Sequence, residues 1–136
     1  MPGPLRSFGY VSRSCAPPER IAAEIDHIIA VTMQTDDARA ITGALVHTGR
    51  HFAQLLEGPP GAIWTLKARL ARDIAHQDLV ELHDLNAEVR RFEEWAIVYD
   101  GRATYIDRVL ERLHRGSAEL GDTEGLAHFM RELALS

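Results

Sequence analysis

Apolar and polar positions recur along this chain with two periods, one suited to strands and one to helices, and the switches between them mark the elements. From Leu5 to Val11, alternation puts Phe8 and Tyr10 on one side of a first strand and Ser7, Gly9 and Val11 on the other. Pro17-Pro18 breaks the chain and suits the first turn of a helix. Ile21, Ile25, Ile28, Ile29 and Thr32 then fall at helical spacing and predict an amphipathic helix to about Met33. The polar run Gln34–Arg39 is a loop. Ile41–His47 and His51–Leu56 read as a hairpin around Thr48-Gly49-Arg50. Gly58-Pro59-Pro60 opens a second helix with an apolar stripe of Ile63, Leu66, Leu70 and Ile74; Lys67, Arg69 and Arg72 lie mostly off it. Asp78–Leu85 is a fourth strand with imperfect alternation. Phe92–Tyr99 is a fifth, with Trp95, Ile97 and Tyr99 assigned to one face. Beyond Gly101 come two more amphipathic helices. The first carries Tyr105, Ile106, Val109, Leu110 and Leu113 and ends at Gly116; the second carries Leu126, Phe129, Met130 and Leu133 and opens at Asp122 or Thr123.

The order β-α-β-β-α-β-β predicts an α+β domain over residues 1–100, a mixed five-stranded sheet with two helices on one face. Residues 101–136 form a C-terminal helical extension. Two helices cannot enclose a core, so they cover the open sheet face or pack on a partner chain.

Composition narrows the picture modestly. The 136 residues are 46% hydrophobic, enough for one domain with a true core. The net charge of −5 disfavours nucleic acid as the main partner. Cys15 is the one cysteine, which excludes a disulfide framework within the chain and points to a reducing compartment, the cytoplasm. It has no visible base partner and reads as non-catalytic. No apolar run has membrane-spanning length, and the N-terminus lacks the apolar core of a signal peptide. The seven histidines show no metal-ligand spacing and read as mostly surface residues. No nucleophile–base–orienter set or phosphate loop is evident, which leaves a small ferredoxin-like hydrolase a weak reading.

One polar residue stands out. Alternation along the second hairpin strand groups Gln54 with Phe52 and Leu56 on a face that should be buried. A buried carboxamide is costly unless both its ends are satisfied. If the first and third strands are neighbours, Tyr10 and Gln54 point to the same helix layer. A phenol facing an amide there is either a hydrogen bond that only satisfies the core or the working part of a site.

The motifs F-G-Y-V-S, I-T-G-A-L, F-A-Q-L-L-E-G-P and R-R-F-E-E-W, in this order from about Leu5 to Tyr99, resemble the BLUF family of flavin-binding blue-light sensors. The resemblance implies a ferredoxin-like fold with FAD, or FMN, between the two sheet-facing helices. It implies a photoreceptor in which light moves an electron from a tyrosine to the flavin, coupled to proton movement. A glutamine between them then exchanges its hydrogen bonds, by rotation or tautomerisation. The tyrosine corresponds to Tyr10 and the glutamine to Gln54. By the same likeness Ile28, Phe52 and Leu70 line the ring, and Arg69, Asp73 and His76 lie near the flavin edge or ribityl chain. Trp95 and Ile97 belong to the output strand.

Some matched positions depart from the family. Asp36 stands where an asparagine is usual, and an ionised carboxylate accepts hydrogen bonds without donating. Burial would raise its pKa and restore a donor. Ala40 replaces a common Gly, Ala75 a frequent Arg and Ile97 a usual Met. Thr35 and Asp37 replace basic residues, which disfavours a phosphate-bearing cofactor. Ordinary roles compete: an i, i+4 ion pair for Arg69 and Asp73, the negative end of the second helix for His76, and core packing for Ile28, Phe52, Leu70, Trp95 and Ile97. The leading expectation is a non-enzymatic photoreceptor that signals by contact to a separate effector protein, as a homo-oligomer, with no direct nucleic acid or membrane partner. The alternative is a BLUF-like domain that has lost its flavin and serves as a protein-interaction or oligomerisation module.

Overall fold

β1 spans Leu5–Ser14 and runs through the middle of an antiparallel core, paired on one side with β3, His51–Gly58, and on the other with β4, His76–Ala87. The computed structural model describes residues 4–14, 17–33, 40–72, 76–101, 103–116 and 123–134. β2, Thr42–His47, forms the hairpin with β3, and β5, Trp95–Asp100, adds in parallel to β2. The strand order is β4-β1-β3-β2-β5, a mixed five-stranded sheet. The hairpin closes where the Thr48 N–H donates to the His51 carbonyl at 3.0 Å.

After a 3-10 turn at Pro18–Arg20, α1 spans Ile21–Met33; α2 spans Pro60–Arg72. Both cover the face that carries Phe8, Tyr10, Leu45, Phe52 and Leu56. α3, Thr104–His114, and α4, Thr123–Ala134, cover the other face, where Ile106, Leu110, Leu126 and Met130 meet Val11, Ala44, Val46, Ala53 and Leu55. The C-terminal helices therefore close the sheet face that α1 and α2 leave open. Gly116 follows α3 with φ +96°, a left-handed stop that suits glycine. Among the described residues no helix is long and apolar enough to cross a membrane.

Several expectations need correction. β4 runs from His76, so His76 begins a strand and is not part of the second helix, which ends at Arg72. Its imperfect alternation comes from two irregularities against β1, one between Gly9 and Tyr10 and one between Val11 and Arg13; Asp78 there adopts φ 53°. β5 starts at Trp95, not Phe92. A register shift opposite Leu45/Val46 pairs Leu45 with Ile97 and Val46 with Tyr99, leaving Val98 as the extra residue. Tyr99 therefore packs with Val98 on the α3/α4 core while Trp95 packs on the α1/α2 side. His47, His51 and His83 are buried, not surface residues. His83 meets Ser7 at 2.9 Å, and His51 lies against Asp107 and Glu111 of α3 at 2.9 and 2.7 Å.

Candidate functional site

β1 and β3 are direct antiparallel neighbours, and the register sets Tyr10 opposite Gln54. Directly opposed residues share a face, so both side chains enter the α1/α2 layer. The Tyr10 hydroxyl donates to Gln54 Oε1 at 2.7 Å, and both residues are fully buried. The other end of the amide, Gln54 Nε2, is buried without a partner among the described residues. Trp95 Nε1 is a second such donor. An N–H withdrawn from water and left unmet costs about 1–3 kcal/mol. The pair forms as alternation predicts, and it satisfies only half of the glutamine.

The surroundings are mostly apolar. Phe8 stacks on Tyr10 with ring centroids 5.7 Å apart. Ile28 and Phe52 share one buried cluster and Leu70 another, and Trp95 packs against both. Leu45 was not among the expected site residues, yet it sits opposite Gln54 on β2. Ile97 in turn sits opposite Leu45. Tyr10, Gln54, Leu45 and Ile97 therefore form one transverse row across four strands. The signal for Leu45 was present in the period-two spacing of Ile41, Gly43 and Leu45. Ile97 is 40% exposed, at the open edge of the sheet.

At the β4 end of this face Lys67 of α2 reaches over the sheet. Its ammonium contacts Asp84 at 2.7 Å and Glu81, and sits 5.3 Å from the Phe8 ring centroid. Arg6 Nε donates to Asp84 at 2.6 Å. Burial pushes the Asp84 carboxyl upward, but hydrogen bonds from Lys67 and Arg6 outweigh it and hold the group below the usual carboxylate range. Arg69 is exposed on α2, outside this network. Asp36, Asp73 and Ala75 lie outside the described residues, as do Cys15, Thr35 and Asp37; of His76 the backbone alone is described.

α1/α2, the sheet and α3/α4 thus form a three-layer sandwich, with the Tyr10–Gln54 pair in the layer between α1/α2 and the sheet. BlrB, a BLUF protein in its dark state, superposes with a TM-score of 0.69 at 27% identity, covering 97% of this chain and 96% of that one. BlsA in its photo-activated state shares the fold at a TM-score of 0.70 and 22% identity, with coverage of 97% and 96%. Residues 5–98 match the BLUF family model, described as sensors of blue-light using FAD, and the chain belongs to that family. Among sequence relatives, photoactivated adenylate cyclase subunit beta of Euglena gracilis is 29% identical over 94 residues, 68% of this chain and 11% of that protein. The blue light- and temperature-regulated antirepressor BluF of Escherichia coli is 30% identical over 89 residues, 65% of this chain and 22% of that protein. The match thus spans a small part of either relative.

Proposed function

We propose that this chain is a flavin-binding blue-light sensor whose switch is the Tyr10–Gln54 pair and whose output passes by contact to a separate protein. The observation that carries the reading is the half-satisfied amide. Gln54 Oε1 accepts a hydrogen bond from the Tyr10 hydroxyl at 2.7 Å, while Gln54 Nε2 and Trp95 Nε1 are buried donors with no acceptor among the described residues. Two unmet N–H groups in an aromatic, apolar layer fit a planar guest rich in carbonyl and ring-nitrogen acceptors, and the ring of FAD or FMN is such a guest.

When bound, the flavin supplies blue-light absorption and an electron-accepting ring. Ile28, Phe52 and Leu70 flank it in this reading; Asp36, Arg69, Asp73 and His76 serve its polar edge and side chain. Tyr10 is the one phenol bonded to the amide, so it can release an electron and pass its proton towards Gln54 Oε1. Gln54 has a donor end and an acceptor end, so rotation or tautomerisation exchanges its partners without moving β3. Leu or Glu at this position could not do so. The row from Gln54 through Leu45 to Ile97 supplies a contact route to β5, from which a homo-oligomer neighbour or an effector can read the change. The chain acts as a sensor without turnover in this account.

An absorption spectrum of the purified protein before and after blue light tests the proposal. A yellow protein whose band shifts reversibly to the red is the expected result. A protein that stays colourless after flavin is added overturns it and leaves the flavin-free interaction module. Gln54→Leu should keep the colour and lose the shift. Asp36→Asn should tighten flavin binding by restoring a donor.

A further inference from the structure

Glu57 is a fully buried carboxylate at the end of β3, three residues beyond Gln54 and facing the opposite side of the sheet. Its Oε1 accepts two main-chain N–H groups, from Arg91 at 2.7 Å and from Phe92 at 3.2 Å. Both belong to the segment that leads into Trp95 and β5. The same segment is tied down twice more. Arg90 donates to Thr42 Oγ1 at 2.8 Å and to the Glu57 carbonyl at 3.3 Å. Arg91 Nε donates to Glu124 in the first turn of α4 at 2.6 Å. Glu57 Oε2, in contrast, is buried with no partner among the described residues. A carboxylate with one saturated oxygen and one bare one, sealed from water, holds its charge at a cost that a proton would remove.

We propose that Glu57 is a protonatable latch that fixes the 90–92 segment to β3, and that its charge state sets how strongly a change at Gln54 is felt at β5 and α4. Glu57 is a positioning residue. It acts through the Arg91 and Phe92 amides on the start of β5, and through the Arg91–Glu124 pair on α4. The second half of the proposal rests on the flavin-switch reading; the latch does not.

Burial raises the Glu57 carboxyl above its usual range, although the Arg91 and Phe92 amides and the Arg91 and Arg90 guanidiniums pull the other way. The folded chain therefore holds this proton more tightly than the unfolded chain. The stabilisation is fully present below the ordinary carboxylate pKa and declines as pH rises through the raised value. Among the described residues, the charged or titratable groups around it are Arg90 and Arg91 of the segment, Glu124 of α4 through Arg91, and His83 of β4 through Ser7, which sits opposite Glu57 on β1.

The test follows the Arg91 and Phe92 amides of the full chain by NMR in the dark. Both should titrate with one inflection above the ordinary carboxylate range, and Glu57→Gln should abolish it while keeping both amides protected from hydrogen exchange. Glu57→Leu should speed their exchange about tenfold or more, since hydrogen bonds to a charged group are lost. Amides that do not titrate, titrate equally in Glu57→Gln, or exchange unchanged in Glu57→Leu overturn the latch. After blue light, dark recovery should vary with pH through the same inflection in the native chain and be flat in Glu57→Gln. A flat native profile beside titrating amides overturns the coupling to Gln54. Absence of any red-shifted state defeats the flavin-switch reading, and the amide titration still decides the latch.

Discussion

The two faces of this sheet come from alternate residues of the same strands, yet they solve different problems. On the α3/α4 face, small and medium side chains such as Ala44, Val46, Ala53 and Leu55 meet helices rich in leucine. Gly9 shows how close that approach is, since a Cβ there would lie 2.6 Å from the His83 ring and 2.9 Å from Leu126. On the α1/α2 face the strands present Phe8, Tyr10, Phe52 and Trp95 with an amide among them, and the Gln54 and Trp95 N–H donors have no acceptor among the described residues. A layer made only to pack gains nothing from unmet donors. The first face is covered by α3 and α4; in the proposed reading the second receives the flavin. The closed face has buried polar atoms of its own, among them the Glu57 Oε2 acceptor at its rim, which has no hydrogen-bond partner among the described residues.

The largest expected effect breaks both faces together. Gly43 has φ +156° and sits between β3 and β5, and a Cβ there would lie 1.9 Å from the Leu55 carbonyl oxygen. Gly43→Ala should lose more than about 4 kcal/mol of stability, read by urea unfolding, because backbone and not a flexible side chain obstructs it. Next come paired truncations that sharpen the contrast. Leu126→Ala and Phe52→Ala should each cost about 3 kcal/mol, given that both are fully buried. Leu126→Ala should leave the visible spectrum in place, whereas Phe52→Ala should weaken flavin retention on a gel-filtration column. Equal flavin loss in both would erase the distinction between the faces.

A smaller effect follows from Tyr10→Phe, which leaves Gln54 Oε1 without its donor. We expect a loss of about 1–2 kcal/mol in thermal unfolding and no red-shifted state after illumination. The smallest concerns Asp84, whose folded pKa lies below its unfolded value. Its stabilisation is present above the ordinary carboxylate pKa and is lost as pH falls through the depressed one. Asp84→Asn should therefore cost about 1 kcal/mol at neutral pH and nothing in strong acid, a difference that urea midpoints at several pH values would expose.

Much of this architecture was legible because two periods dominate the pattern. Among the described residues the five strands follow from alternation and the four α-helices from helical spacing, and the shared face of Tyr10 and Gln54 follows once β1 and β3 are neighbours. What escaped notice lay where one residue is added to a strand. The extra Val98 carries Tyr99 to the other face, and the irregularities in β4 blur its pattern, because no local preference marks a bulge that a neighbouring strand imposes. The buried histidines escaped for a related reason. His51 is tolerated in the interior by Asp107 and Glu111, more than fifty positions away, and His83 by Ser7. Side chains that remote leave no trace in a local window. Glu57 lies within the motif F-A-Q-L-L-E-G-P, but its backbone partners Arg91 and Phe92 meet it only once the chain has folded.

Among the described residues β5 has a strand on one side only, β2, in a parallel ladder already interrupted at Val98. Sliding it would disturb a single set of rungs, whereas sliding β1, β3 or β2 would tear two. β4 is the sheet's other edge, but β5 is the shorter of the two, 6 residues against 12, and its Ile97 ends the very row in which Tyr10 and Gln54 sit. In the proposed switch, a rearrangement of one hydrogen-bonded pair, worth little on its own, would have one short ladder to disturb there.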